Sequence, residues 1–105
     1  MKVILGVLQE EEERLKELSK VYSKEIASKP KGSISVKKFG KRRYAYLNYR
    51  EGDKVKTRYL GAEHAKEVAA MRKQIEERRR YERWLREVKE NLGLLHRVLH
   101  ARRKG

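Results

Sequence analysis

Between Ser33 and Leu60 the side chains alternate, and glycine interrupts the alternation twice, at Gly40-Lys41 and at Glu51-Gly52-Asp53. A period of two means extended chain, and two turn signals so close together leave little besides an antiparallel three-stranded meander. The pattern predicts strands over Ser33–Phe39, Arg42–Arg50 and Lys54–Leu60. Gly40-Lys41 suits a two-residue turn with glycine first. Glu51-Gly52-Asp53 suits a three-residue loop in which Asp53 takes the left-handed position. With those turns Ile34, Val36, Ala45, Leu47, Tyr49, Val55, Thr57 and Tyr59 share one face. Ser33, Ser35, Lys37, Tyr44, Tyr46, Asn48, Arg50, Lys54, Lys56 and Arg58 share the other. A one-residue slip in either turn would exchange a strand's faces.

Helical periodicity flanks this sheet, so the expected class is α+β: an N-terminal helix in residues 1–30, the meander in 31–61, and a long C-terminal helix in 62–105. From Leu8 to Ala27, Leu15, Leu18, Tyr22 and Ile26 recur at spacings of three and four. Glu10 to Glu13 then fall in the first turns, where the helix dipole favours carboxylates. Ser28, Pro30 and Gly32 end the helix. From Ala62 to about Arg103 there are two apolar stripes. Val68, Met71 and Ile75 form the first. Tyr81, Leu85, Val88, Leu92, Leu95 and Leu99 form the second, with the steps of a heptad seam. The stripes are out of phase across residues 76–80, and Gly93 weakens the second, so a bend is expected at one of these places. The first stripe should cover the sheet. The second should be covered by the first helix or by a second copy, and since a first helix starting at Leu8 reaches only half of it, a homodimer through the C-terminal helix is expected.

The charge is very uneven. The chain of 105 residues carries 29 Lys and Arg against 15 Asp and Glu, a net charge of +14. Residues 29–61 hold eleven basic and two acidic side chains. Such density calls for an anionic partner, and phosphate backbones are the commonest of that size. A polybasic tail or basic amphipathic helix would suit a membrane surface instead, and the middle third has the pattern of neither. No run approaches the roughly 18 apolar residues of a membrane span, and Met1 to Leu8 is too short for a secretory signal. A cytoplasmic protein is expected, associated with the nucleoid if it binds DNA. Abundant Lys, Arg and Glu against two Gln and two Asn resemble a thermophile's composition.

The polar sheet face joins hydroxyl and amide groups, tyrosines and cations without a carboxylate, whereas a merely soluble face mixes signs. A narrow sheet can enter the major groove, where Arg and Lys reach guanine and Asn reaches adenine. The residues expected at a nucleic-acid interface are Lys37, Tyr44, Tyr46, Asn48, Arg50, Lys54, Lys56 and Arg58 on the face. Lys38, Lys41, Arg42 and Arg43 around the first turn are placed to clamp phosphates. Double-stranded DNA is the expected partner of a small regulator or architectural factor. RNA stacked on Tyr44 and Tyr46 is an alternative, as is an antitoxin-like module whose basic face meets an acidic protein. Arg78 to Arg80, with Arg83 and Arg86, make a second basic run, but five glutamates lie at pairing distance along the helix.

Catalytic patterns are lacking. There is no glycine-rich phosphate loop, nucleophile elbow or separated carboxylate pair, and no cysteine. His96 and His100 have the spacing of a metal-binding pair. Position 97 is Arg rather than the Glu of a zinc-protease helix, and no third ligand is evident, so neither metal nor cofactor is expected. His64 reads as a lone surface histidine, and Trp84 as packing.

The stretch from Lys31-Gly32-Ser33-Ile34 through Gly40-Lys41-Arg42-Arg43-Tyr44-Ala45-Tyr46-Leu47-Asn48-Tyr49-Arg50-Glu51-Gly52 to Tyr59-Leu60-Gly61 resembles the core of small archaeal and bacterial proteins of unassigned function. In those proteins a charged coiled-coil helix commonly follows the core. More weakly, the core is similar to the arm-type DNA-binding domain of tyrosine recombinases, a three-stranded sheet followed by a helix, which lays its sheet in the major groove. That resemblance implies DNA binding by the sheet. The chain has no room for the recombinase catalytic domain, and the first helix lies outside the resemblance.

Overall fold

The structure, a computed structural model, describes residues 2–101. Its order is α1 (Lys2–Ala27), β1 (Ser33–Phe39), β2 (Arg42–Glu51), β3 (Lys54–Ala62) and α2 (Lys66–His100). This is the expected α+β arrangement, with the strands in the order β1-β2-β3 and both pairs antiparallel. The chain forms two compact units. One holds α1 with α2 from Arg80 onward, and the other holds residues 28–79.

In the sheet unit, Gly40 adopts φ 63° and Lys41 keeps a negative φ, so the first turn has two residues and pairs Phe39 with Arg42 as expected. The second turn differs from expectation. Gly52 adopts φ 62°, Asp53 stays out of the left-handed region, and Glu51 pairs with Lys54. The loop is therefore Gly52-Asp53, one residue shorter than the expected three. The physical reason is the place of the glycine. A three-residue loop needs its left-handed residue last, and here the residue free to take positive φ stands second of the three.

That single residue turns β3 over. Thr57 pairs with Asn48 and Tyr59 with Tyr46, so Val55, Thr57 and Tyr59 join the polar face, while Lys54, Lys56 and Arg58 join the side of Ala45, Leu47 and Tyr49. The exposures agree: Val55 is 66% and Tyr59 56% exposed. A bulge follows, since Tyr46 pairs with Tyr59 but Ala45 pairs with Gly61. The extra residue returns Gly61 to the apolar side, where a Cβ would lie 3.7 Å from Ala65 and 4.0 Å from Val68.

The core of this unit is Ala45, Leu47, Val68 and Ile75, all buried. Val68 and Ile75 are seven residues apart and so share a helix face. The apolar side of the sheet is thus made by β1, β2 and Gly61, and is covered by the first stripe of α2. Two arginines fasten the loop before β1: Arg78 Nη1 donates to the Lys29 carbonyl (2.7 Å) and Arg79 Nη2 to the Gly32 carbonyl (3.3 Å).

In the helical unit α1 begins at Lys2, six residues before the expected start: Lys2, Leu5 and Leu8 favour helix, and Gly6 is the one strong opponent in the segment. Glu10 to Glu13 consequently lie more than two turns inside the helix, beyond the reach of its dipole. They pair along the helix instead: Glu11 with Arg14, and Glu12 with Lys16 at 3.6 Å. The hydrogen-bonding Arg14 guanidinium holds the Glu11 carboxyl below its ordinary pKa. Leu15 of α1 and Val88 of α2 are buried, and the Tyr22 ring lies 5.8 Å from both Tyr81 and Trp84. Past Gly93, Leu95 and Leu99 are half-buried, since the longer α1 reaches that far. α2 itself is one helix from Lys66 to His100, unbroken at residues 76–80 and at Gly93.

Candidate nucleic-acid interface

One face of the sheet carries Ser33, Ser35, Lys37 and Phe39 from β1, Arg42, Tyr44, Tyr46, Asn48 and Arg50 from β2, and Val55, Thr57 and Tyr59 from β3. No carboxylate stands among them. The residues nearest the centre are joined across all three strands: Asn48 Nδ2 donates to Ser35 Oγ (2.9 Å), and Thr57 Oγ1 donates to Asn48 Oδ1 (3.0 Å). This leaves Asn48 one amide hydrogen and one lone pair facing outward, held in a fixed plane.

Beside this ladder runs an aromatic row. Phe39 lies 6.1 Å from Tyr44, Tyr44 6.1 Å from Tyr59, and Tyr59 5.5 Å from Tyr46, all tilted. Lys37 Nζ sits 4.9 Å from the centroid of Tyr46, a cation–π contact. Tyr44 and Tyr46 are half-buried by their neighbours, whereas Phe39 is 58% exposed. Among the described residues, no carboxylate lies within ion-pair distance of Lys37, Arg42 or Arg50.

Of the residues expected at the interface, Lys37, Arg42, Tyr44, Tyr46, Asn48 and Arg50 share this face, and Lys41 is exposed in the adjoining turn. Lys38, Arg43, Lys54, Lys56 and Arg58 point to the opposite side, and for the three β3 cations the cause is the shorter turn. Two of these are paired: Lys56 with Glu51 (2.8 Å) and Arg43 with Glu63 (3.7 Å). Sequence reasoning missed Thr57 and Tyr59 by assigning them to the core, and left Phe39 on neither face. The signal for the two β3 residues was Gly52, whose position in the loop favours the two-residue turn. Arg78 and Arg79, the expected second basic run, instead bond the loop carbonyls described above. His64 is exposed beside Glu63 at 3.8 Å, and Trp84 packs against Tyr22 and Tyr81, as the sequence indicated.

Residues 8–70 match a protein family described as a domain of unknown function, DUF6788. The chain belongs to this family. No curated protein and no solved structure matches it. The DUF6788 match runs from the second turn of α1 through the entire sheet to Ala70, so it contains every residue of the face just described. It also takes in most of the first helix, which the resemblance noted above left out. Among the described residues, no helix is long and apolar enough to cross a membrane.

Proposed function

We propose that the protein binds nucleic acid, double-stranded DNA in the first place, through the face made by β1, β2 and Val55, Thr57 and Tyr59 of β3. The observation that carries this reading is the separation of charge within the sheet. Glu51 and Glu63 are spent on cations of the opposite side, while Lys37, Arg42 and Arg50 share a face with no carboxylate. Unneutralised cations on one face of a narrow sheet attract phosphate from both strands of a groove. Asn48 at the centre, fixed by Ser35 and Thr57, offers donor and acceptor to a base edge. A sheet laid in a groove is also what the resemblance to the recombinase arm-type domain implies. The reading describes a small regulator or architectural factor of the cytoplasm or nucleoid, with no enzymatic activity of its own.

The aromatic row favours a second reading. Phe39 and Tyr59 expose ring surface, and exposed rings between cations are how single strands are held by stacking. Equilibrium binding of labelled duplex DNA, single-stranded DNA and RNA of equal length, at two salt concentrations, separates the two. Duplex binding at micromolar Kd or tighter at low salt, stronger than single-strand binding, is the expected result. A preference for either single strand would make the aromatic row the working surface.

A further inference from the structure

The seam that α1 presents to α2 runs through Leu8, Glu12, Leu15, Ser19, Tyr22 and Ile26, at steps of four and three. Glu12 therefore occupies a position where an apolar residue is expected, and its side chain is only 17% exposed. Facing it near the end of α2 are His96 and His100, one helical turn apart, with ring centroids 4.3 Å from each other. One donor atom from each of Glu12, His96 and His100 falls within 4.8 Å of the others. The chain thus supplies the third ligand that was not evident from the histidines alone. It comes from a residue more than eighty positions away in sequence.

We propose that Glu12, His96 and His100 form a three-ligand site for a divalent transition metal, zinc above all, which ties α1 to the end of α2. Two imidazoles and a carboxylate are a borderline-soft donor set that suits Zn²⁺ better than Mg²⁺ or Ca²⁺. Tetrahedral ligands about 2.0–2.1 Å from zinc lie about 3.3 Å apart, so donors within 4.8 Å of one another must draw together by up to about 1.5 Å. Exposed His96 and half-buried His100 have the freedom to do so. Lys16, 3.6 Å from Glu12, is the cation that now faces the carboxylate and is the group a metal would displace. The fourth position would be left to water. Because the ligands come from both helices, metal binding stabilises their pairing by mass action.

The test is titration of the untagged full-length chain with zinc chloride, followed by calorimetry and thermal unfolding, with Co²⁺ as a spectroscopic substitute. The expected result is one metal per chain, a rise in Tm of about 10 °C or more at about 100-fold excess over Kd, and intense visible Co²⁺ bands of tetrahedral type. Glu12→Gln, which keeps the shape of the side chain, and His100→Ala should each weaken binding by about tenfold or more, while Lys16→Ala should leave it intact or tighten it. Helical content by circular dichroism shows that each variant is folded. No stoichiometric binding, one metal shared by two chains, or undiminished affinity in folded Glu12→Gln would overturn the assignment.

Discussion

Tyr46 and Tyr59 stand directly across from one another on β2 and β3, with ring centroids 5.5 Å apart on the same face of the sheet. This pairing fixes which way β3 faces. It places Thr57 against Asn48, and it sends Lys54, Lys56 and Arg58 to the other side.

Replacing Tyr59 by Ala tests the register directly. Tyr59 is more than half exposed and lies against the rings of Tyr44 and Tyr46 on its own face, so the loss should be about 0.5–1.5 kcal/mol for each of these ring contacts. A core tyrosine would cost about 3–5 kcal/mol, as large aromatics do. Urea unfolding of the variant distinguishes the two values.

Leu47→Ala should behave in the opposite way. Leu47 is buried with Ala45, Val68 and Ile75, and its truncation should cost about 2–5 kcal/mol. That is a large share of the stability of so small a unit. A Tm within a degree or two of the parent would show that α2 does not cover this side.

Gly32 has no room for a side chain. It adopts φ 138°, and a Cβ would meet the Asn48 carbonyl oxygen and lie 3.1 Å from Leu47 Cδ1. Gly32→Ala should therefore destabilise by about 1–3 kcal/mol, whereas Gly40→Lys and Gly52→Asn, in open turns, should cost less. Thermal unfolding of the three variants gives the order.

Most of the sheet was legible in the sequence. Strands β1 and β2 begin where alternation predicted, because Gly40-Lys41 admits one turn geometry and Ile34, Ala45 and Leu47 leave one choice of buried face. β3 was misread for a physical reason. Its apolar positions, Val55 and Tyr59, and its cations, Lys54, Lys56 and Arg58, mimic a strand packed through the tyrosine side, and here turn geometry prevails over local alternation. The early start of α1 was hidden because Lys2 to Leu8 has no capping signal. Glu12 was lost within a run of four glutamates that reads as solvated, and only the pairing of α1 with α2 shows that it stands in the seam.

The most direct measurement of DNA binding by the tyrosine face compares two triple variants over a salt series. In one, Lys37, Arg42 and Arg50 become Ala; in the other, Lys54, Lys56 and Arg58 do. Both sets remove three positive charges, so net charge alone cannot separate them. If each cation of the first set neutralises a phosphate, its loss flattens the log–log salt slope by about 0.9 per residue. Between about 50 and about 200 mM salt the parent should then lose ~40-fold more affinity for duplex DNA than the first variant does. The second variant should keep a slope close to the parent's. Equal slopes for the parent and a folded Lys37/Arg42/Arg50 variant, or a greater loss in the second set, would contradict the assignment of this face to DNA.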